Sequence, residues 1–276
     1  MKKAIQIQHD NIMERMFRAA SEAGFEHISM GFGSSRVFHT DGWKNEIERI
    51  KNLLSQYNLK CVQTHAPYYH LLISSETAEE EMETAIKRCI IATGMLGAEC
   101  MALHPRSSVN YNYSTKRAFE DNREYILDYI PTAEQSDVII CLENLPVFPG
   151  MPGCFFYSSD IEELCELADS FNNKNIGICW DFGHAALTRT EQTQALKMVG
   201  NRLKCTHVHN NFGQQDDHFV PYLGTIEWQK VMPVLGEIGY NGSLTLEINY
   251  TENDMLESYI NHSYSCIDYL SKLVKE

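Results

Sequence analysis

The chain has 276 residues, 43% of them hydrophobic, and a formal net charge of −14. That is ample apolar material for a large core, and the length suits one α/β barrel of roughly 250 residues. The acidity disfavours a broad phosphate-backbone footprint and so makes nucleic acid an unfavoured partner.

No apolar run approaches the ~20 residues a membrane helix needs, and "MKKAIQIQHD" lacks a signal-peptide core, so a cytoplasmic protein with no membrane partner is expected. Nine cysteines, an odd number without C-x-x-C spacing, read as free thiols in a reducing compartment.

Short β-rich runs recur along the chain: "AIQIQ" (4–8), "HISMGF" (27–32), "CVQTH" (61–65), "CMALH" (100–104), "VIICLE" (138–143), "IGICWD" (176–181), "KCTHVH" (204–209) and "SLTLEI" (243–248). Helical periodicity separates most of them. Between the third and fourth, Met82, Ala85, Ile86, Cys89 and Ile90 mark one amphipathic face. Thr77 with Glu80, and Ser159 with Glu162, have capping-box spacing at two helix starts. After the second strand, "GFGSSR" (31–36) lacks the third glycine of a dinucleotide loop and reads as an ordinary loop. The aromatic stretches "PYYH" (67–70) and "CFFY" (154–157) read either as pocket walls or as core packing. Eight strands alternating with helices, with no linker or composition shift, predict one (β/α)8 barrel domain over residues 1–276.

Each of the last six strands ends in a potential metal ligand: His65, His104, Glu143, Asp181, His207 (with His209) and Glu247. The first four fall 38 or 39 residues apart, so one register recurs on successive strands. In a barrel all six converge on the C-terminal mouth, where such enzymes keep their chemistry. Buried carboxylates facing one another repel, and a divalent cation neutralises them. Carboxylate and imidazole without thiolate suit manganese, magnesium, cobalt or zinc. His184, one helical turn beyond Asp181, reads as a second ligand, a substrate contact or a capping residue.

"QTHAPY", "ALHP", "CLEN", "WDFGHA", "HVHNN", "DDH" followed by "IEW", and "LTLEI" together resemble the xylose isomerase-like barrel superfamily, which holds sugar and sugar-phosphate isomerases and epimerases and also endonuclease IV. The resemblance spans residues 61–248. Its isomerase and epimerase branch implies one divalent ion (Mn, Zn, Co or Mg) held by Glu143, Asp181, His207 and Glu247. His209 is the alternative imidazole, since i and i+2 on a strand face the same side. Its endonuclease branch implies up to three zinc ions on nine positions, all filled here: His65, His104, Glu143, Asp181, His184, His207, Asp216, His218 and Glu247. Against that branch, "VHNN" stands where it has an Asn-Asp pair, "PYLGTIEW" lacks its Leu-Gly-Glu-Gly, and Arg106 occupies a glycine position.

The expected activity is therefore metal-dependent isomerisation or epimerisation of a sugar or sugar phosphate, with proton transfer through a metal-stabilised enediolate. The resemblance implies Glu143 and Glu247 as acid and base. Arg106 and His184 are expected to orient substrate hydroxyls or phosphate, with Arg36 a second candidate for phosphate. An inosose-type dehydratase, an abasic-site endonuclease and a silent sugar-binding barrel are the alternatives, and homo-oligomerisation stays open. Cys61, Cys100, Cys141, Cys179 and Cys205 precede ligands by two or four residues, so alternation places all five inside the barrel, as small apolar fillers.

Overall fold

The computed structural model describes residues 1–10, 12–33, 35–68, 76–107, 115–147 and 156–274, leaving aside the side chains at 35, 76–78 and 115. Its strands are β1 (Lys2–Gln8), β2 (His27–Gly31), β3 (Lys60–His65), β4 (Cys100–Leu103), β5 (Ile139–Glu143), β6 (Ile176–Asp181), β7 (Leu203–His207) and β8 (Ser243–Leu246). They pair in parallel in the order β7-β6-β5-β4-β3-β2-β1-β8. Val208 closes the ring on β8: it bridges Leu246, and its N–H donates to the Thr245 carbonyl at 2.7 Å. The expected (β/α)8 barrel is the observed fold.

The helices are α1 (Met13–Ala23), α2 (Trp43–Gln56), α3 (Glu76–Met95), α4 (Thr115–Leu127), α5 (Ile130–Ser136), α6 (Ile161–Ser170), α7 (Phe182–Leu187), α8 (Gln192–Val199), α9 (Trp228–Glu237) and α10 (Leu256–Leu273). In α1, Met13, Met16, Phe17 and Ala20 form the buried stripe that lays a helix on a sheet. Gly24 ends that helix with φ 99°, where a side chain would be strained. None of the described helices is long and apolar enough to cross a membrane.

Two capping expectations change. Asp160, not Ser159, caps α6: its extended backbone lets one carboxylate oxygen accept from the N–H groups of Glu162 and Glu163. Helix α3 starts at Glu76, ahead of Thr77, whose side chain lies outside the described residues.

Strand side chains alternate between two environments. Ile5, Ile7, Met30, Met101, Leu103, Ile140, Leu142, Ile178 and Trp180 join the outer core between sheet and helices. The interior divides in half. On the β1, β2, β3 and β8 side, Ser29 donates to Gln6 (3.2 Å), and Ser243 and Thr245 both donate to Gln63 Oε1 (3.2 and 2.9 Å). On the β4 to β7 side, Cys100, Ala102, Cys141, Cys179 and Cys205 pack together.

Cys61 is not among them. The β2–β3 register shifts after the Ile28–Cys61 pair, so that Ser29 faces Gln63 and Val62 is an extra residue. Across a parallel pair, partners share a face; Cys61 follows outward-facing Ile28 into the outer core, and the bulge restores Gln63 and His65 to the interior.

Candidate active site

Asp181 is where strand chemistry becomes site chemistry. It ends β6 and caps α7, its Oδ1 accepting from the His184 N–H at 2.6 Å while Oδ2 meets His209 Nε2 at 3.0 Å. Asn144, just past β5, locks the same strand end: its Nδ2 donates to the Asp181 carbonyl (2.9 Å) and its Oδ1 accepts from the Asp181 N–H (2.7 Å). Capping thus falls to Asp181, and His184 is left to turn its ring into the cavity. There Nδ1 lies 2.9 Å from the Asn144 carbonyl and Nε2 lies 3.2 Å from Asp216 Oδ2.

His207 is the hub. Its Nδ1 lies 3.1 Å from Glu143 Oε1, 3.2 Å from Glu247 Oε2 and 3.8 Å from Asp181 Oδ2. His65 and His104 each approach Glu143 Oε2 at 3.4 Å, and His65 Nδ1 is held by the Ala66 carbonyl at 2.8 Å, which turns Nε2 to the site. His218 meets Asp216 at 3.1 Å and the Glu247 carbonyl at 2.7 Å, and stacks on His209 at 3.9 Å. The strand β7 ends at His207, two residues earlier than the sequence pattern suggests. Val208 there leaves β6 for β8, and Asn210 pairs with Phe219.

A cleft opens above these groups, bordered by His65, His104, Arg106, Glu143, His184, Asp216, His218 and Glu247, with Asp181, His207 and His209 buried beneath. The expected metal-ligand and acid–base residues are therefore all at this one place. Arg106 stands at the rim with Nη1 3.0 Å from Glu79 and Nη2 3.3 Å from Glu83, its guanidinium 3.9 Å above the Tyr125 ring. Arg36 is elsewhere, exposed on a 3₁₀ turn (Ser35–His39) beside Glu46 and Arg49. Of the aromatic stretches, Pro67, Tyr68 and Phe156 line the cleft and Tyr157 is core; residues 69, 70, 154 and 155 lie outside the described residues.

Gln6 was not expected. Its Nε2 donates to Glu247 Oε1 at 2.5 Å. The only trace in the sequence is a glutamine in an inward position of an apolar strand.

Four carboxylates in one cavity demand countercharge. Burial alone would lower His207, yet Glu247 and Glu143 push it up to about 10; His218 rises likewise to about 9 beside Asp216 and Glu247. Burial alone would raise Glu143, and His207 and His104 hold it well below the usual carboxylate range. Burial lowers His104. Even so, Glu143 Oε2, His207 Nε2, His209 Nδ1 and Asp216 Oδ1 are buried with no hydrogen-bond partner. With His207 Nδ1 within 3.8 Å of oxygens from three carboxylates, this set of carboxylate and imidazole donors fits a divalent cation of the manganese-to-zinc type.

Comparison with known proteins places the chain among its relatives. An uncharacterised protein of Methanocaldococcus jannaschii is 29% identical over 73% of the chain and 68% of its own length. The fructoselysine 3-epimerase of Shigella flexneri is 23% identical over 86% of the chain and 85% of its own. The crystal structure of a D-tagatose 3-epimerase-like protein superimposes with a TM-score of 0.81 at 22% identity, covering 99% of this chain and 98% of that one. The model of the xylose isomerase-like TIM barrel family matches residues 17–266, and the chain belongs to that family.

Proposed function

We propose that this chain, acting as one unit over residues 1–276, is a metal-dependent sugar isomerase or epimerase whose proton-transfer groups are Glu143 and Glu247. The observation that carries this reading is the convergence on His207 Nδ1 of carboxylates from β5, β6 and β8, two of which also face the open cleft. Glu143, Asp181, His207 and Glu247 would hold one divalent ion. When bound, that ion supplies a Lewis acid for the negative charge that develops on a substrate carbonyl oxygen.

The chain's own residues then divide the remaining work. Glu143 and Glu247 enter from β5 and β8, with β6 and β7 between them, so they address a bound carbon from two sides. One carboxylate takes the proton beside the carbonyl. The other returns a proton to the opposite face, which inverts that centre, or to the neighbouring carbon, which shifts the carbonyl. Gln6 holds Glu247, and His207 holds Glu143, so neither carboxylate swings freely. His184 and Arg106 orient substrate hydroxyls. Because Glu79 and Glu83 already answer the Arg106 charge, a neutral sugar suits the rim better than a sugar phosphate. The Tyr68 and Phe156 rings offer apolar faces to sugar C–H groups. The similarity to a fructoselysine 3-epimerase supports the same class of chemistry.

A second reading rests on two further donor groups. His65, His104 and Glu143, and separately His184, His209, Asp216 and His218, each bring their donor atoms within 4.8 Å of one another, as a multi-zinc, endonuclease IV-like phosphodiesterase would require. The net charge of −14 weighs against a DNA substrate. Turnover on free ketoses in deuterated solvent decides between them: deuterium incorporation at the carbon beside the carbonyl is expected. Cleavage of an abasic-site duplex without any such exchange overturns the proposal.

A further inference from the structure

Below the mouth, the β4 to β7 half of the barrel interior carries a second donor cluster that proton transfer does not use. Cys100, Cys141, Cys179 and Cys205 come from four consecutive strands, and all are buried free thiols. The sulfur atoms of Cys100, Cys141 and Cys205 lie within 4.8 Å of one another. Cys179 faces Cys205 across the β6–β7 pairing and also adjoins Glu143 and His207, so it separates floor from mouth. Ala102 and Ile139 pack into the same apolar compartment. The thiols lie against one another, and Cys100 and Cys141 also make long contacts to the backbone carbonyls of Lys204 (3.8 Å) and Ile139 (3.6 Å).

Barrel interiors of this kind are ordinarily filled by bulky branched side chains. Here four strands instead present a polarisable sulfur each, three of them within 4.8 Å of one another and the fourth, Cys179, beside Cys205. Three sulfurs bound to zinc at about 2.3 Å in tetrahedral directions stand roughly 3.8 Å apart, so the cluster needs a contraction of no more than about 1 Å. Cys100 is the first residue of β4, so the cluster lies toward the end of the barrel opposite the cleft.

We propose that Cys100, Cys141 and Cys205 form a thiolate site for a soft metal ion, zinc or copper(I), in the barrel floor, with Cys179 as a fourth sulfur. Three thiols that bind one Zn²⁺ release three protons to solvent and leave a net charge of −1, with no change of oxidation state. The two sites differ in kind: nitrogen and oxygen donors at the mouth, sulfur alone at the floor. Loading the floor ties β4, β5 and β7 together two residues below Glu143 and His207.

Cadmium is the probe. The reduced, metal-stripped whole protein is first given manganese to occupy the mouth and then titrated with Cd²⁺. The expected result is a thiolate-to-cadmium charge-transfer band that saturates at one equivalent per chain. A Cys141→Ala/Cys205→Ala variant should lose that band, whereas Cys61→Ala/Cys89→Ala, which removes the other neighbouring thiols, should keep it. Cadmium NMR of the unaltered protein counts the sulfur ligands independently of whether any variant folds. A resonance from nitrogen and oxygen ligands alone, no charge-transfer band, or a band that survives Cys141→Ala/Cys205→Ala overturns the proposal.

Discussion

Gly183 is the position at which the smallest change should do the most harm. A Cβ there would lie 1.9 Å from His209 Cε1, 2.3 Å from Nδ1 and 2.6 Å from Nε2. The ring has nowhere to go: it is fully buried, stacked on His218 at 3.9 Å and bonded to Asp181 at 3.0 Å. Overpacking a core costs about 1–3 kcal/mol, and loss of a hydrogen bond to a charged group about 1.5–3 more. Gly183→Ala should therefore lose roughly 3–6 kcal/mol, a large share of the 5–15 kcal/mol typical of a folded domain, and lower Tm by on the order of 10 °C. Gly42→Ala is the control, because a Cβ at that position meets nothing within 4 Å. Thermal unfolding of both variants by circular dichroism, with manganese affinity measured alongside, tests the reasoning. A Gly183→Ala protein as stable as Gly42→Ala, with unaltered manganese affinity, refutes it.

Glu143→Gln and Glu247→Gln should each reduce solvent-proton exchange by at least roughly 100-fold while keeping more metal than Asp181→Ala or His207→Ala, as metal analysis after dialysis would show. If His209→Ala releases the ion and His207→Ala does not, the assignment of the histidine ligand is reversed. Gln6→Met keeps the bulk but removes both the 2.5 Å hydrogen bond to Glu247 and the buried one from Ser29; kcat/KM should fall by about 10–100-fold and Tm by roughly several degrees, and unchanged kinetics would show that Gln6 positions nothing. Burial pushes the Cys61 thiol up to about 12 from an ordinary 9.0, so the folded chain keeps a proton that the unfolded chain releases between about pH 9 and 12. Stability present below pH 9 is lost as pH rises through that window, on the order of 1 kcal/mol by pH 10. Urea unfolding should show a shallower alkaline loss for Cys61→Ala than for the parent protein.

The strands and the mouth were legible because both depend on short-range patterns. Parallel strands buried on two faces read as apolar runs, and a His, Glu or Asp at the end of such a run stands out against them. What local patterns missed falls into two kinds. Cys61 points outward because of Val62, and a bulge of one residue leaves no mark in alternation read from a single strand. Gln6 and Asn144 act on groups 241 and 37 residues away, and neither contact has a spacing to recognise. The capping residue of α6 shifted by one position, since Asp160 and Ser159 are both good caps and the backbone chose between them.

The thiols show the same limit from the other side. Spacing along the chain identifies ligands held by one loop or one helix turn, and by that criterion the cysteines look unrelated. In a closed barrel, however, proximity is set by register around the ring. Cys141, Cys179 and Cys205 each stand two residues before Glu143, Asp181 and His207, on three adjacent strands. The in-phase alternation that gathers Glu143, Asp181 and His207 at the mouth must turn the three sulfurs inward one layer below. A slip of one residue in any of these strands would turn both its mouth residue and its cysteine out of the interior together. Mouth and floor are thus two readouts of a single register, and a metal held at either level constrains the strands that build the other.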